Sequence, residues 1–546
     1  MKKILFIAAA ILGFFIGITS CTKDLDVTPL NPDDLSSGVV YEKPGAYYQV
    51  LAKCYGSYAL TGNEGPSGRG DIAGIDEGTS QFSRLLFFLQ VGTTDESLIG
   101  WGDPGVPDLH NLNWSADNVI TQGMYYRLFY TVTLTNELIR VTAGKPALSS
   151  DVKDNLPLFN AEARFLRAYA YYNLLDLFGN VPFVTEKDGV GAYNPPRITR
   201  ADLFKYVESE LLKLETENTL PVKGVEYGRV GMSAVHFLLA RLYLNAAVYT
   251  ATSSAAGTPM YDKAATYAEK VINDGYSLAT KYSYNFLSDN NTSPELIFVA
   301  TQDGINTTSY GGTTFLTNGA YGGSIKPELF GMSGAWGGPR STSALVRKFY
   351  ATPGSPTALE QKDTRGTVSN VQTGDVMLWS DGQTLEIANP SSFTQGWAVV
   401  KFKNISKTGE KGKNPSFADT DVPLFRLGEA FLIYAEAALK GGGDLTKAEG
   451  YINRLRERAF GDKSGNIIAS NITDDFILNE RSRELYWECT RRSDLIRFNR
   501  FTTGTYLWPW KGGVQGGTSR DAKYNLFPLP ASDVSANPNL IQNPGY

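Results

Sequence analysis

The sequence predicts a mostly α-helical fold, a helical-repeat scaffold with a loop-rich half and a minor share of β structure. Three observations lead there. Several segments repeat apolar residues at helical spacing and place alanines where helices must approach closely. Between them run long stretches rich in Gly, Ser, Thr, Asn and aromatic residues. Cys21, Cys54 and Cys489 are the only cysteines in 546 residues, so a packed core and not a disulfide framework must hold the chain.

The N-terminus comes first. Lys2 and Lys3 precede an apolar run from Ile4 to Ile18, which ends in Thr19-Ser20-Cys21. Charge, a short apolar run and small residues before a cysteine make a signal peptide over 1–20 with a lipobox. The run is shorter than the ~20 residues of a comfortable transmembrane helix. Cys21 is then the lipid anchor and the new N-terminus, and the competing reading is an ordinary cleavable signal with an accidental cysteine. The polar, acidic Thr22-Lys23-Asp24-Leu25-Asp26 resembles the tail that sends Gram-negative lipoproteins to the outer face of the outer membrane. Residues 21–37 form a tether, and 38–546 one globular unit.

The helices follow. In Asn160 to Phe178, Phe165, Tyr169, Tyr172, Leu175 and Phe178 recur at helical spacing, with Glu162, Arg164, Arg167 and Asp176 on the other side. Gly179-Asn180 supplies a C-cap and Pro182 forbids continuation. Val235 to Tyr249, Tyr261 to Ile272, Leu427 to Leu439 and Leu445 to Ala459 repeat this grammar. Stretches such as Tyr261-Asp262-Lys263-Ala264 leading to Tyr267-Ala268 resemble tetratricopeptide helices, whose neighbours bury each other's apolar stripes, although the full repeat consensus is not met. Asp474 to Phe501 reads as a further helical region with charge pairs, Glu480 with Arg483 and Glu488 with Arg491 or Arg492, better suited to an ion-pair network than to catalysis.

Two regions break the pattern, 61–113 and 288–396. Trp101, Trp114, Trp336, Trp379 and Trp397 lie in them or at their edges, and loops on a rigid scaffold are where binding surfaces are built. A net charge of −5 offers no basic patch for nucleic acid. His110 and His236, the only histidines, read as structural residues rather than ligands.

Several stretches carry a resemblance. They are Ala161 to Ala168 (AEARFLRA) running into Asp176 to Pro182 (DLFGNVP), Pro423 to Ala430 (PLFRLGEA), Glu480 to Leu485 (ERSREL) with Arg491 to Leu495 (RRSDL), and the ending Gln542 to Tyr546 (QNPGY). With the lipobox, they identify the chain as a member of the SusD-like (RagB/SusD) nutrient-binding outer-membrane lipoproteins. The resemblance implies about four tetratricopeptide-like helix pairs, a loop-rich half that holds sugar, and a SusC-like TonB-dependent barrel as partner. It implies no catalytic role and no required cofactor.

The loops add detail. Ile75-Asp76-Glu77-Gly78 with Arg84, Thr94-Asp95-Glu96 with Trp101, Ser309 to Thr314 (SYGGTT), Gly334-Ala335-Trp336, and Tyr506 to Gly513 (YLWPWKGG) look like the starch-binding founder of the family. Carried over position by position, this implies an aromatic arc of Trp101, Tyr310 and Trp336 for a helical α-glucan, with Asp76 and Arg84 on the sugar hydroxyls. The chemistry is sensible on its own terms, because the C–H face of a pyranose packs on an aromatic plane while its hydroxyls seek charged groups at the rim. One departure is Gly102-Asp103-Pro104, where the founder has an amide side chain and this loop is a residue shorter. Asp103 is expected to take over that hydrogen bond, which leaves the exact glucan and linkage open. Trp508 and Trp510 are assigned to packing. A structural calcium ion is also implied, at Asp419 and Asp421 with Asn291, although Asp419-Thr420-Asp421 serves equally well as a solvated pair or a helix cap.

Three functions compete at this point: a non-enzymatic binder of starch or another polysaccharide, a surface glycoside hydrolase, and an adhesin using its helical surface alone. The hydrolase requires two carboxylates about 5–9.5 Å apart across the bond, with Asp76, Asp95 and Glu96 as loop acids. The adhesin accounts for the helices and not for the aromatic loops.

Overall fold

The computed structural model describes residues 40–546 apart from 42, 67, 144–149, 190, 192, 352–357 and 370. The signal peptide, Cys21 and the 21–37 tether lie outside the described residues.

Helices of seven or more residues are α1 (Pro44–Ala59), α2 (Phe82–Gln90), α3 (Val119–Ala143), α4 (Ser150–Leu177), α5 (Arg200–Glu217), α6 (Met232–Leu244), α7 (Tyr261–Asn273), α8 (Gly312–Asn318), α9 (Leu427–Leu439), α10 (Leu445–Phe460), α11 (Asp474–Leu485) and α12 (Arg491–Arg497). Packing of α1 on α3, α4 on α5, α6 on α7 and α9 on α10 gives four pairs, and the contacts of α3 with α4, α5 with α6, and α7 with α9 chain them into one superhelical stack. Alanine makes the close approaches: Ala264 and Ala268 of α7 and Ala435 and Ala437 of α9 are fully buried. Caps set the helix ends. Asp444 accepts from the Thr446 amide at 2.7 Å at the start of α10, and Thr473 accepts from Phe476 at 3.2 Å at the start of α11. Gly179 ends the α4 region at φ +73, as expected of a residue free to enter the left-handed region.

The strands are short: β1 (Leu98–Ile99), β2 (Val181–Pro182), β3 (Arg197–Ile198), β4 (Leu296–Ala300), β5 (Pro339–Arg340), β6 (Leu378–Trp379), β7 (Ala398–Val399) and β8 (Val422–Arg426). They pair antiparallel as β1–β5, β2–β3, β4–β8 and β6–β7. The first of these pairs matters most for function. Leu98 faces Arg340 and Ile99 faces Pro339, so one two-residue ladder ties the loop at Trp101 to the loop at Trp336.

Four expectations need correction. The 61–113 region is not all loop, because α2 runs through it with Phe82, Leu85, Phe87, Phe88 and Leu89 buried. The helix expected over Val235 to Tyr249 breaks at Asn245, and its last turn is the separate Ala246–Tyr249 segment. The helical region from Asp474 to Phe501 breaks between α11 and α12, where Trp487 (φ +64) and Cys489 (φ +60) adopt left-handed backbone. The side of α4 expected to carry solvated charge is largely buried: Glu162, Arg167 and Asp176 are enclosed, with Arg167 bridging Glu186 at 2.5 Å and Glu210 at 3.1 Å.

The ion-pair network expected around α11 exists inside the protein, with the expected Glu480–Arg483 pair in place and the partners of Glu488 different. Glu484 meets Arg365 (3.2 Å), Arg426 (2.7 Å) and Arg458 (2.5 Å), while Glu480 meets Arg365 (2.8 Å), Arg456 (3.0 Å) and Arg483 (2.7 Å). Glu488 pairs with Arg426 and Lys401 rather than with Arg491 or Arg492. Burial alone would drive the Glu484 carboxyl to protonate, and the three arginines instead hold it far below the usual carboxylate range. Cys54 and Cys489 are free thiols.

Candidate functional site: an aromatic cleft backed by Arg84

The site is assembled at the N-terminus of α2. Gln81 caps this helix, its Oε1 accepting from the Arg84 amide at 2.9 Å and from the Gly312 amide at the start of α8, also at 2.9 Å. Its Nε2 donates to the Tyr58 carbonyl at the end of α1 at 2.8 Å. One buried amide thus fixes three helix ends, and with them Arg84 and the Tyr310-Gly311-Gly312 turn.

Arg84 rises from α2 beneath the rings. Its guanidinium carbon lies 5.0 Å from the centroid of Phe315, 5.7 Å from Trp101 and Phe88, and 6.0 Å from Trp336. Its Nη1 donates to the Tyr310 carbonyl at 3.2 Å. Burial lowers its pKa to about 10, against the pull of Asp76, Asp103 and Glu77, and its Nε is enclosed without a hydrogen-bond partner. Glu77 receives the Thr61 hydroxyl, and burial with the neighbouring Asp76 raises its carboxyl to about 7.

The three aromatic residues singled out in the sequence meet. Trp101 and Trp336 have ring centroids 6.5 Å apart, and Trp336 and Tyr310 6.1 Å apart. The Trp101 indole N–H donates to the Trp336 carbonyl at 3.3 Å. All three keep part of their surface open, Tyr310 the most at 39 %. Two glycines make this fit. A Cβ on Gly338 would stand 2.3 Å from the Trp101 ring, and one on Gly78 would stand 2.7 Å from Cβ of Tyr310.

Asp76, Arg84, Trp101 and Asp103 line one open cleft of about 430 Å³, floored by Phe88, Val106, Val119 and Ile120. Asp76 is oriented by its own turn, its Oδ1 accepting from the Thr79 amide (3.0 Å) and hydroxyl (2.8 Å), which leaves Oδ2 for a ligand. Asp103 is exposed at the rim. Tyr310 and Trp336 do not line this cleft, but extend the aromatic surface beyond Arg84. Sequence reasoning missed Phe417, whose ring is 5.3 Å from Tyr310, and Phe315 beneath Trp101 at 6.1 Å. Neither has a sequence signal of its own, since each is one aromatic residue in an ordinary stretch.

Other candidates fall elsewhere. Asp95 is buried and saturated, receiving Arg491 (2.7 and 2.8 Å), Lys348 (2.8 Å) and the Tyr506 hydroxyl (2.6 Å). Glu96, with its carboxyl raised to about 7 by burial, accepts from Ser482 (2.8 Å) and the Trp487 amide (3.1 Å). Both hold α11 and α12 to the scaffold. Trp508 is buried and Trp510 donates to the Ile387 carbonyl at 2.8 Å, in keeping with packing.

As placed, the residues considered for calcium do not form a cage. Both Asp421 carboxylate oxygens have protein donors, Gln302 N and Tyr227 Oη, each at 2.6 Å. Asn290, not Asn291, bonds to the Asp421 backbone, and Asn291 is exposed. Only Asp419 Oδ1 is enclosed without a partner, and among the described residues no three His, Cys, Asp or Glu converge as metal ligands.

Fold and cleft together define a tetratricopeptide-like scaffold that presents an aromatic platform from its loops. The chain belongs to the SusD family: residues 294–546 match the SusD family model, and the starch-binding protein SusD of Bacteroides thetaiotaomicron is 36 % identical, with all of this chain and 99 % of that protein covered. SusD-like protein P2 of Formosa agariphila is 25 % identical over 82 % of this chain and 85 % of its own length. Among solved structures, a SusD homologue from Bacteroides thetaiotaomicron superposes with a TM-score of 0.68 at 19 % identity, covering 92 % of this chain and 97 % of that one. Surface glycan-binding protein A of the same species, solved in complex with laminarihexaose, gives 0.67 at 18 % identity, covering 91 % and 98 %. These likenesses carry the fold.

Proposed function

We propose that the protein is a glycan-binding lipoprotein of the cell surface that captures starch or a related α-glucan oligosaccharide on the Trp101, Trp336 and Tyr310 platform and delivers it to a SusC-like TonB-dependent barrel in the outer membrane. The observation that carries this reading is the convergence of three partly open rings, two of them over Arg84, beside a cleft flanked by Asp76 and Asp103. Sugar rings stack on the aromatic faces through their C–H surfaces. Asp76 Oδ2 and Asp103 accept hydroxyl protons, and the Arg84 side chain lines the same cleft. The relative named as starch-binding supports the choice of α-glucan.

Lipid attachment at Cys21 would keep the site near a transporter at high effective concentration. Among the described residues no helix is long and apolar enough to cross a membrane. A binder rather than an enzyme is favoured because Asp95 and Glu96 are tied up in the scaffold.

Affinity electrophoresis in gels of amylopectin, dextran, pullulan or a β-glucan tests the reading. Retardation by amylopectin and pullulan is expected. Retardation only by the β-glucan keeps the site and overturns the α-glucan, a second reading that the laminarihexaose-bound relative keeps open. A reducing-sugar assay on starch is expected to show no release, and steady release would establish a hydrolase.

A further inference from the structure

Two adjoining hollows, of about 300 and 240 Å³, share Glu226, Tyr227, Gly228, Arg229 and Val299, and the larger is a groove between α1 and β4. Two tyrosine rings stand open in its walls, Tyr48 and Tyr227, each 48 % exposed.

Both rings are held from behind. The Tyr227 hydroxyl donates to Asp421 Oδ2 at 2.6 Å, and Asp421 is itself fixed by the Gln302 amide at 2.6 Å, so the ring edge is anchored while its surface stays open. Tyr48 packs against Phe159 at 6.1 Å, and the Arg229 guanidinium lies 5.9 Å from its centroid. Arg229 is clamped by the buried Glu162, which also receives the Tyr55 hydroxyl at 2.5 Å. The plan of the first site recurs in part: Arg229 lies against the Tyr48 and Phe159 rings, and polar groups stand at the rim. Here the rim offers the exposed Glu226 carboxylate and the Thr301 side chain.

We propose that this groove is a second glycan-binding site, with Tyr48 and Tyr227 as stacking platforms and Glu226 and Thr301 as hydroxyl partners. Open aromatic faces favour a ligand that offers flat C–H faces, and the charged rim favours one that also offers hydroxyls. The choice of glycan as ligand class rests on the function proposed above. One loop borders both sites: Thr301 and Thr307 line the groove, and Tyr310 belongs to the platform. A polymer engaged at both would gain by avidity over either site alone.

The test is calorimetric titration of the mature protein with maltoheptaose, with retardation in amylopectin gels alongside. Wild type should show two sites per chain. A Trp101→Ala, Trp336→Ala variant should keep one weaker site, and adding Tyr48→Ala should remove it. Tyr48→Ala alone should cut amylopectin retardation at least threefold without changing affinity at the first platform. A stoichiometry of one, with retardation unchanged by Tyr48→Ala in both backgrounds, overturns the groove and leaves the first site standing. Tyr48-dependent binding that ignores Trp101 and Trp336 keeps the groove and overturns the first site. No glycan bound by wild type overturns both. Self-association abolished by Tyr48→Ala, with no effect on glycan, assigns the groove to protein contact and overturns the proposal.

Discussion

The indole N–H of Trp101 donates to the backbone carbonyl of Trp336 at 3.3 Å, across a sequence separation of 235 residues. The β1–β5 ladder lies directly beside this bond, so the two rings belong to a single framed surface rather than to two mobile loops. Preorganisation of this kind lets a shallow sugar site bind without first paying to order its loops.

Removing both rings should therefore remove most of the binding. At about 1–1.5 kcal/mol per stacked ring, Trp101→Ala with Trp336→Ala should cost about 2–3 kcal/mol, or roughly 30- to 150-fold in Kd for a maltooligosaccharide at the platform. Calorimetry on the double variant measures this, and an unchanged affinity at that site would sink the assignment.

Gly338→Ala probes the frame without touching a ligand contact. The added methyl would meet the Trp101 ring at 2.3 Å, so the indole must move. Overpacking of this kind costs about 1–3 kcal/mol of stability, and we expect at least a fivefold loss of affinity in a protein that still folds. A thermal melt and a titration on the same sample separate the two effects.

Gln81→Leu should act on fold and site together. It strips partners from the Arg84 and Gly312 amides and from the Tyr58 carbonyl, and leaving buried groups unpaired costs about 1–3 kcal/mol each before relaxation. A net loss of about 2–4 kcal/mol in denaturant melts is expected, with weaker glycan binding at temperatures where the variant remains folded.

Lys403 gives a pH signature. Fully buried, with no carboxylate of the described residues in bonding distance, it is driven by desolvation from 10.5 to about 7. The unfolded chain keeps this proton up to about pH 10.5 whereas the folded chain releases it above about 7, so wild-type stability gains from rising pH across that window. Lys403→Met should be more stable than wild type near pH 7, with the advantage shrinking toward pH 10. Lys401 and Lys511, both lowered to about 8 by burial, contribute alike in both proteins and cancel in the comparison. Urea melts of the two proteins at several pH values read the difference, and a gap that does not narrow would contradict this account.

Glu484→Gln should be among the most damaging single changes. It would leave Arg365, Arg426 and Arg458 converging without their shared carboxylate, and breaking a buried ion pair costs about 3–5 kcal/mol. Soluble yield and the denaturant midpoint should both fall.

The sequence by itself determined the helical scaffold and the aromatic composition of the platform. Periodicity in α4, α7, α9 and α10 is local information, written in side chains three and four positions apart, and the alanines mark close approach because no larger side chain fits there. Trp101, Tyr310 and Trp336 could be chosen from their loops by resemblance. Tertiary structure alone decided the rest. The turn at Trp487 and Cys489 interrupts an otherwise helical pattern because Glu96, nearly four hundred residues earlier, takes the Trp487 amide and so stabilises a left-handed backbone that local preference disfavours. Asp95 and Glu96 are indistinguishable from rim acids in a linear reading, since desolvation and pairing with Arg491 and Lys348 depend on distant segments. The same holds for Phe315, Phe417 and the Gln81 staple, whose roles exist only once α1, α2 and α8 have come together.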